Sequence, residues 1–206
     1  MKTRLTLFFI AVASFFVQAQ NTEACTETLS LMSTSVKAKD VTAYDYLTTL
    51  RKDCPSFHKS IYSLGEFAVK LKIEKATTPQ DKEKYVRDLL KLYDEHDQYF
   101  PNNGAGNKMK KGLALFENKI GTSDEVFQLL DVAFKTDYAN CKYAKAMYVY
   151  FEILVNNHKA NKGVELQQVF DKYDDISKKL DEEEKELSEE NDGFLTREEA
   201  GQVLSD

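Results

Sequence analysis

The sequence predicts an all-α chain assembled from consecutive helical hairpins. Apolar residues recur at intervals of three and four along much of its 206 residues, the spacing that lines one face of an α-helix. Only three prolines and eight glycines occur, and all are usable as punctuation between helices. No run alternates apolar and polar residues as a half-buried strand would. About eight helices are expected on this pattern.

The first segment reads as a secretory signal peptide, residues 1–19. Lys2 and Arg4 precede an uncharged apolar stretch from Leu5 to Val17, and Val17 and Ala19 satisfy the small-residue rule before a cut after Ala19. The apolar core is roughly 13 residues, short of the roughly 20 that span a bilayer, and no other window is long and uncharged enough. An exported chain, periplasmic or extracellular, with no membrane span after cleavage is expected. Thr22, Glu23 and Ala24 stand before Cys25 where a lipid-attachment signal would carry a leucine-like residue and small residues, so no lipid anchor is predicted.

After the leader, residues 24–37 and 41–53 read as antiparallel helices joined at the polar "KAKD". That hairpin sets Cys25 at the start of one helix beside Cys54 at the end of the other, and export permits a disulfide between them. Closing a loop of about 30 residues would stabilise the fold by roughly 3 to 4 kcal/mol. Cys141 is left over, as a small buried residue near a helix start or as an intermolecular disulfide partner. Phe57, Ile61, Leu64, Ala68 and Leu71 mark the next helix. Breaks follow at Thr78-Pro79, at Pro101 to Gly104, at Gly121 to Ser123 and at Asn161 to Gly163. Residues 143–155, "YAKAMYVYFEILV", are apolar on most sides and read as a central helix. Leu166, Val169, Phe170, Tyr173, Ile176 and Leu180 form one more apolar stripe, and an acidic helix at 181–190 follows.

The hairpins show an internal repeat. Ala43, Leu47, Leu50 and Pro55 are spaced like the second helix of a repeat with its closing proline. Ile61, Leu64, Gly65 and Ala68 are spaced like the first helix of the next. Pro101 closes a second unit containing Leu89 and Tyr93, and Gly112 with Leu115 opens a third. The chain resembles the exported tetratricopeptide-repeat-like proteins of Gram-negative bacteria over roughly residues 24–180, which sets a helical-repeat domain at 20–180 and leaves 181–206 as an acidic helical tail that could begin further repeats. This resemblance implies a short right-handed α-solenoid that binds a protein or peptide partner. The intervals from Pro55 to Pro101 (46) and from Gly65 to Gly112 (47) exceed that family's 34-residue period. Either the loop at residues 73–80 is enlarged, or the solenoid is of a different kind. Tyr44, Tyr46, Tyr62, Tyr85, Tyr93, Tyr99, Tyr143, Tyr148 and Tyr150 are candidate anchors, since a tyrosine combines contact area with a water-tolerant hydroxyl.

Composition argues against other classes. A net charge of -6 disfavours nucleic acid, which needs clustered Lys and Arg to displace counterions. Lys108, Lys110 and Lys111 read as a solvated helix face. His58, His96 and His158 lie far apart, and no metalloprotease, hydrolase-elbow or nucleotide-binding motif occurs. Neither an enzyme nor a cofactor is predicted. Residues 188–199, "SEENDGFLTREE", resemble a degenerate calcium loop with Glu190, Asp192 and Glu199 as oxygen donors, although Ser188 replaces the first aspartate. A helix end at Gly193 followed by a capping box from Thr196 to Glu199 accounts for the same residues. The expected function is therefore a non-enzymatic interaction or scaffold module of the cell envelope. The alternative is a small-ligand binder, taking calcium through that loop or a glycan on exposed tyrosines.

Overall fold

The computed structural model describes residues 22–101 and 106–191, with side chains to residue 185. The expected signal peptide, residues 102–105 and the candidate calcium ligands Asp192 and Glu199 lie outside the described residues, as does the side chain of Glu190. Among the described residues the chain is all helical, with eight α-helices and no strand. It divides into two compact units, one within residues 1–107 and one within 108–206.

The first unit holds α1 (22–37), α2 (Ala43–Asp53), α3 (Ser60–Lys75) and α4 (Pro79–Tyr99). A disulfide joins Cys25 on α1 to Cys54 at the end of α2, as the hairpin reading requires. Met32, Ala43, Leu47 and Leu50 are fully buried beside it. α3 packs on both α2 and α4. Gly65 makes the first of these contacts possible, because a Cβ there would stand 2.7 Å from Leu47 Cδ1. Of the two readings of the long interval, an enlarged loop at residues 73–80 is not what the fold contains. α3 continues to Lys75 and α4 begins at Pro79, with Thr78 accepting a hydrogen bond from the Asp81 N–H at 3.0 Å. The length of the interval sits instead in the helices, 16 residues in α3 and 21 in α4.

The second unit holds α5 (Asn107–Asn118, its first residue belonging to the first unit), α6 (Ser123–Thr136), a 3-10 turn (Tyr138–Asn140), α7 (Ala144–Lys159) and α8 (Leu166–Asn191). Gly112 on α5 repeats the role of Gly65, since a Cβ there would come within 2.6 Å of Leu130 Cγ on α6. Thr122 caps α6 as Thr78 caps α4, accepting from the Glu125 N–H at 3.1 Å. α7 packs between α6 and α8, in line with its central reading, yet its outer side is open at Tyr148.

Three helix ends share a device that composition did not announce. Lys39, Lys119 and Asn161 have φ of 55°, 57° and 54°. Each ends the first helix of a hairpin in a Schellman motif. The Lys39, Lys119 and Asn161 N–H groups donate to Val36, Phe116 and His158, and the next N–H donates five residues back, to Ser35, Leu115 and Asn157. Glycine is the residue usually expected at that left-handed position, and none of the three is one.

Candidate functional site

Most of the polar groups that look functional are satisfied within the fold. Asp88 and Glu95 stand two turns apart on α4 and so face one way, toward Arg51 on α2. Arg51 Nε and Nη2 donate to the two Glu95 carboxylate oxygens at 2.6 and 2.9 Å, and Nη1 donates to Asp88 at 2.9 Å. Burial works against the guanidinium charge, and the two carboxylates outweigh it and hold its pKa above the ordinary arginine range. The Tyr44 hydroxyl donates to the same Asp88 at 2.9 Å. All three guanidinium nitrogens are thus engaged within the chain, and the cluster fastens α2 to α4.

The other expected anchors divide sharply. Tyr62, Tyr93 and Tyr150 are buried. Tyr62 stacks on His96, centroids 5.1 Å apart, and donates its hydroxyl to the Pro55 carbonyl at 2.9 Å. Asn107 donates to Asp97 at 2.7 Å and lies 3.1 Å from His96 Nδ1. Tyr150 donates to Asp131 at 2.6 Å, and Lys135 donates to the same carboxylate at 2.8 Å. Burial alone would raise the Asp131 pKa, but those two donors override it and hold it below the ordinary value. Tyr44, Tyr46, Tyr85 and Tyr143 are half-buried, whereas Tyr99 and Tyr148 are 37 and 64 % exposed. Of the repeat positions, Ala43, Leu47, Leu50, Ile61, Gly65, Ala68 and Gly112 are buried, Pro55 and Leu64 are half-buried, and Pro101 is exposed.

Cys141 is fully buried, its thiol directed at the Ala133 and Asp137 carbonyls. Burial, with Asp137 nearby, pushes the thiol pKa up to about 11. In this fold the thiol is therefore neutral and inaccessible to a partner chain, which removes the intermolecular disulfide from its two readings.

The stripe on α8 departs from expectation. Val169 and Ile176 are buried, while Leu166, Phe170, Tyr173 and Leu180 are 52, 56, 56 and 39 % exposed. Those four lie at intervals of four, three and seven, so they form a second apolar face turned aside from the first. On α7, Tyr148, Phe151 and Val155 follow the same spacing, and Phe151 meets Tyr173 with ring centroids 5.9 Å apart. Of the three only Tyr148 is more than a third exposed, and the Phe151–Tyr173 contact joins the apolar residues of the two helices into one face. Partly exposed side chains of 150 to 250 Å² each when aromatic make it on the order of 500 Å², in the range where surface patches of monomers are often functional.

α8 also buries charge where only solvent was expected. Lys179 is 4 % exposed, sits 4.9 Å above the Tyr138 ring and pairs with Glu183 at 2.6 Å. Lys172 lies 4.6 Å over Phe134. Beyond this hairpin, a groove of about 400 Å³ runs past Leu115, Phe116, Ile120 and Val126 to Glu152 and Asn156. Among the described residues no group of three or more His, Cys, Asp or Glu is arranged to hold a metal ion, and no helix is long and apolar enough to cross a membrane.

No protein-family model matches the chain, and neither a curated protein nor a solved structure matches it.

Proposed function

We propose that the chain is an exported, non-enzymatic helical-repeat protein that serves as an interaction or scaffold module in the cell envelope. Its hairpins are read as degenerate tetratricopeptide-like repeats of a short right-handed α-solenoid. The disulfide between Cys25 and Cys54 fits an oxidising compartment. The repeated glycine contacts of Gly65 and Gly112 and the three like helix ends support a repeat origin.

The observation that carries the interaction reading is the apolar face of α7 and α8. Five large side chains there, Tyr148, Leu166, Phe170, Tyr173 and Leu180, are each more than a third exposed. A monomer gains nothing in stability from holding them in water, and a protein partner would remove them from it. The test is affinity capture from an envelope fraction with the chain from residue 20 onward as bait. A protein enriched reproducibly over bait-free resin supports the role. A bait that enriches none, in detergent and after crosslinking, refutes it.

A further inference from the structure

We infer that the face formed by α7 and α8 is the docking site for a basic amphipathic helix of another protein, an assignment that rests on the interaction role proposed above. The exposed stripe on α8 runs from Leu166 to Leu180, about 21 Å along the axis at 1.5 Å per residue. That length suits a partner helix of about four turns, lying along the seam where Phe151 meets Tyr173.

The charge around the stripe selects the partner. Two basic residues of α8, Lys172 and Lys179, turn inward onto Phe134 and Tyr138. A third, Lys178, reaches Glu182 at 4.0 Å, and a fourth, Lys185, is exposed beyond the end of the stripe. Beside Phe170 and Leu180 the outward charges are carboxylates. Asp174 and Asp181 flank the stripe and Glu184 continues it. All three are exposed, and none has an ion pair among the described residues. A helix with leucine-like residues toward the groove and Lys or Arg along one edge would cover the apolar surface and answer those charges. A second copy of the chain would set the same carboxylates against each other, which like-charge repulsion disfavours.

Fluorescence anisotropy with a labelled 16-residue amphipathic peptide tests the assignment. The probe carries Leu at positions spaced four, three and four apart and Lys on both flanks, and a second peptide has every Lys replaced by Glu. The Lys peptide should bind the chain from residue 20 at least tenfold more tightly than the Glu peptide. Phe170→Ser with Tyr173→Ser should weaken it tenfold or more with unchanged circular dichroism, since both side chains are exposed. Asp174→Asn with Asp181→Asn should weaken it severalfold and flatten its salt dependence. Equal binding of both peptides, no binding of either, or indifference to both double variants overturns the assignment. A dimer in sedimentation that Phe170→Ser with Tyr173→Ser abolishes also overturns it, in favour of a second copy. The broader role is tested separately: if the Phe170→Ser, Tyr173→Ser variant captures the same envelope protein as the parent chain, the interaction role stands and this face is not its site.

Discussion

Phe151 on α7 and Tyr173 on α8 pack ring against ring, 5.9 Å between centroids at 56°. Phe151 is half-buried and Tyr173 is more than half exposed, so the contact joins the hairpin's interior to its open face. The same two helices that close the second unit therefore also carry its apolar surface.

The Arg51 cluster should behave as a structural fastening. Replacing Arg51 with Met takes the shared cation from Asp88 and Glu95 in partly buried positions and leaves Glu95 only the exposed Lys91 at 3.8 Å. Removing one partner of a fully buried pair costs about 3–5 kcal/mol and an exposed pair under about 1 kcal/mol, so about 2–3 kcal/mol is expected here. Urea unfolding checks this. Adding Asp88→Asn and Glu95→Gln to Arg51→Met should recover more than half of the loss.

Two glycines at like positions should respond unequally to alanine. At Gly65 the added Cβ meets the terminal Cδ1 of Leu47, which can rotate aside. At Gly112 it meets the branching Cγ of Leu130 at 2.6 Å and its Cδ2 at 2.7 Å, which can clear it only by a change of χ1 that carries the whole isobutyl group. Alanine regains roughly 0.5–1 kcal/mol of helix propensity at either site, while overpacking costs about 1–3 kcal/mol. Gly112→Ala should destabilise clearly and Gly65→Ala should stay within about 1 kcal/mol of the parent, read from thermal or urea midpoints.

At the hairpin turns, glycine should help. Lys119 holds a left-handed φ of 57° and projects into solvent. An L-residue pays about 1–2 kcal/mol for that conformation, and glycine does not. After the loss of unfolded-state restriction, Lys119→Gly should raise stability by about 0.5–1 kcal/mol. A decrease would show that the Schellman geometry at this turn is wrong.

Asp131 sets an acid-side dependence. Its folded pKa lies below the ordinary 3.8 because Lys135 and Tyr150 favour the carboxylate against the effect of burial. The group therefore stabilises the fold at pH values above its unfolded pKa. That contribution fades as pH falls through the lower folded value. Asp131→Asn should lower the unfolding midpoint at pH 7, and that difference should shrink as the pH is taken down through the folded pKa. An equal deficit throughout that range would contradict the assignment.

What was legible in the sequence followed from local pattern. The midpoint of residues 25 and 54 falls on a polar turn, so the disulfide could be read from hairpin symmetry alone. Helix starts at Thr78 and Thr122 were marked by a capping residue. The Arg51 cluster was missed because its partners lie 37 and 44 positions away, and the one local hint was the two-turn spacing of Asp88 and Glu95. The long intervals between Pro55 and Pro101 and between Gly65 and Gly112 leave open whether a loop at residues 73–80 or a different repeat supplies the extra length, because spacing alone cannot tell a long loop from long helices; Pro79 starts α4 directly. Periodicity also marked Leu166 to Leu180 as a single stripe. It reports which residues share a helical face, and it is silent on whether a neighbouring helix exists to cover each edge. The open edge at Phe170 and Tyr173 became visible only once α7 was in place.

The most direct measurement is photo-crosslinking in the native envelope, with a benzophenone amino acid placed singly at Tyr148, at Tyr173 and, as a control on the first unit, at Phe67. The account predicts the same discrete crosslinked protein from Tyr148 and Tyr173 and its absence from Phe67. No discrete adduct from either α7–α8 position, or an identical adduct from Phe67, would contradict it.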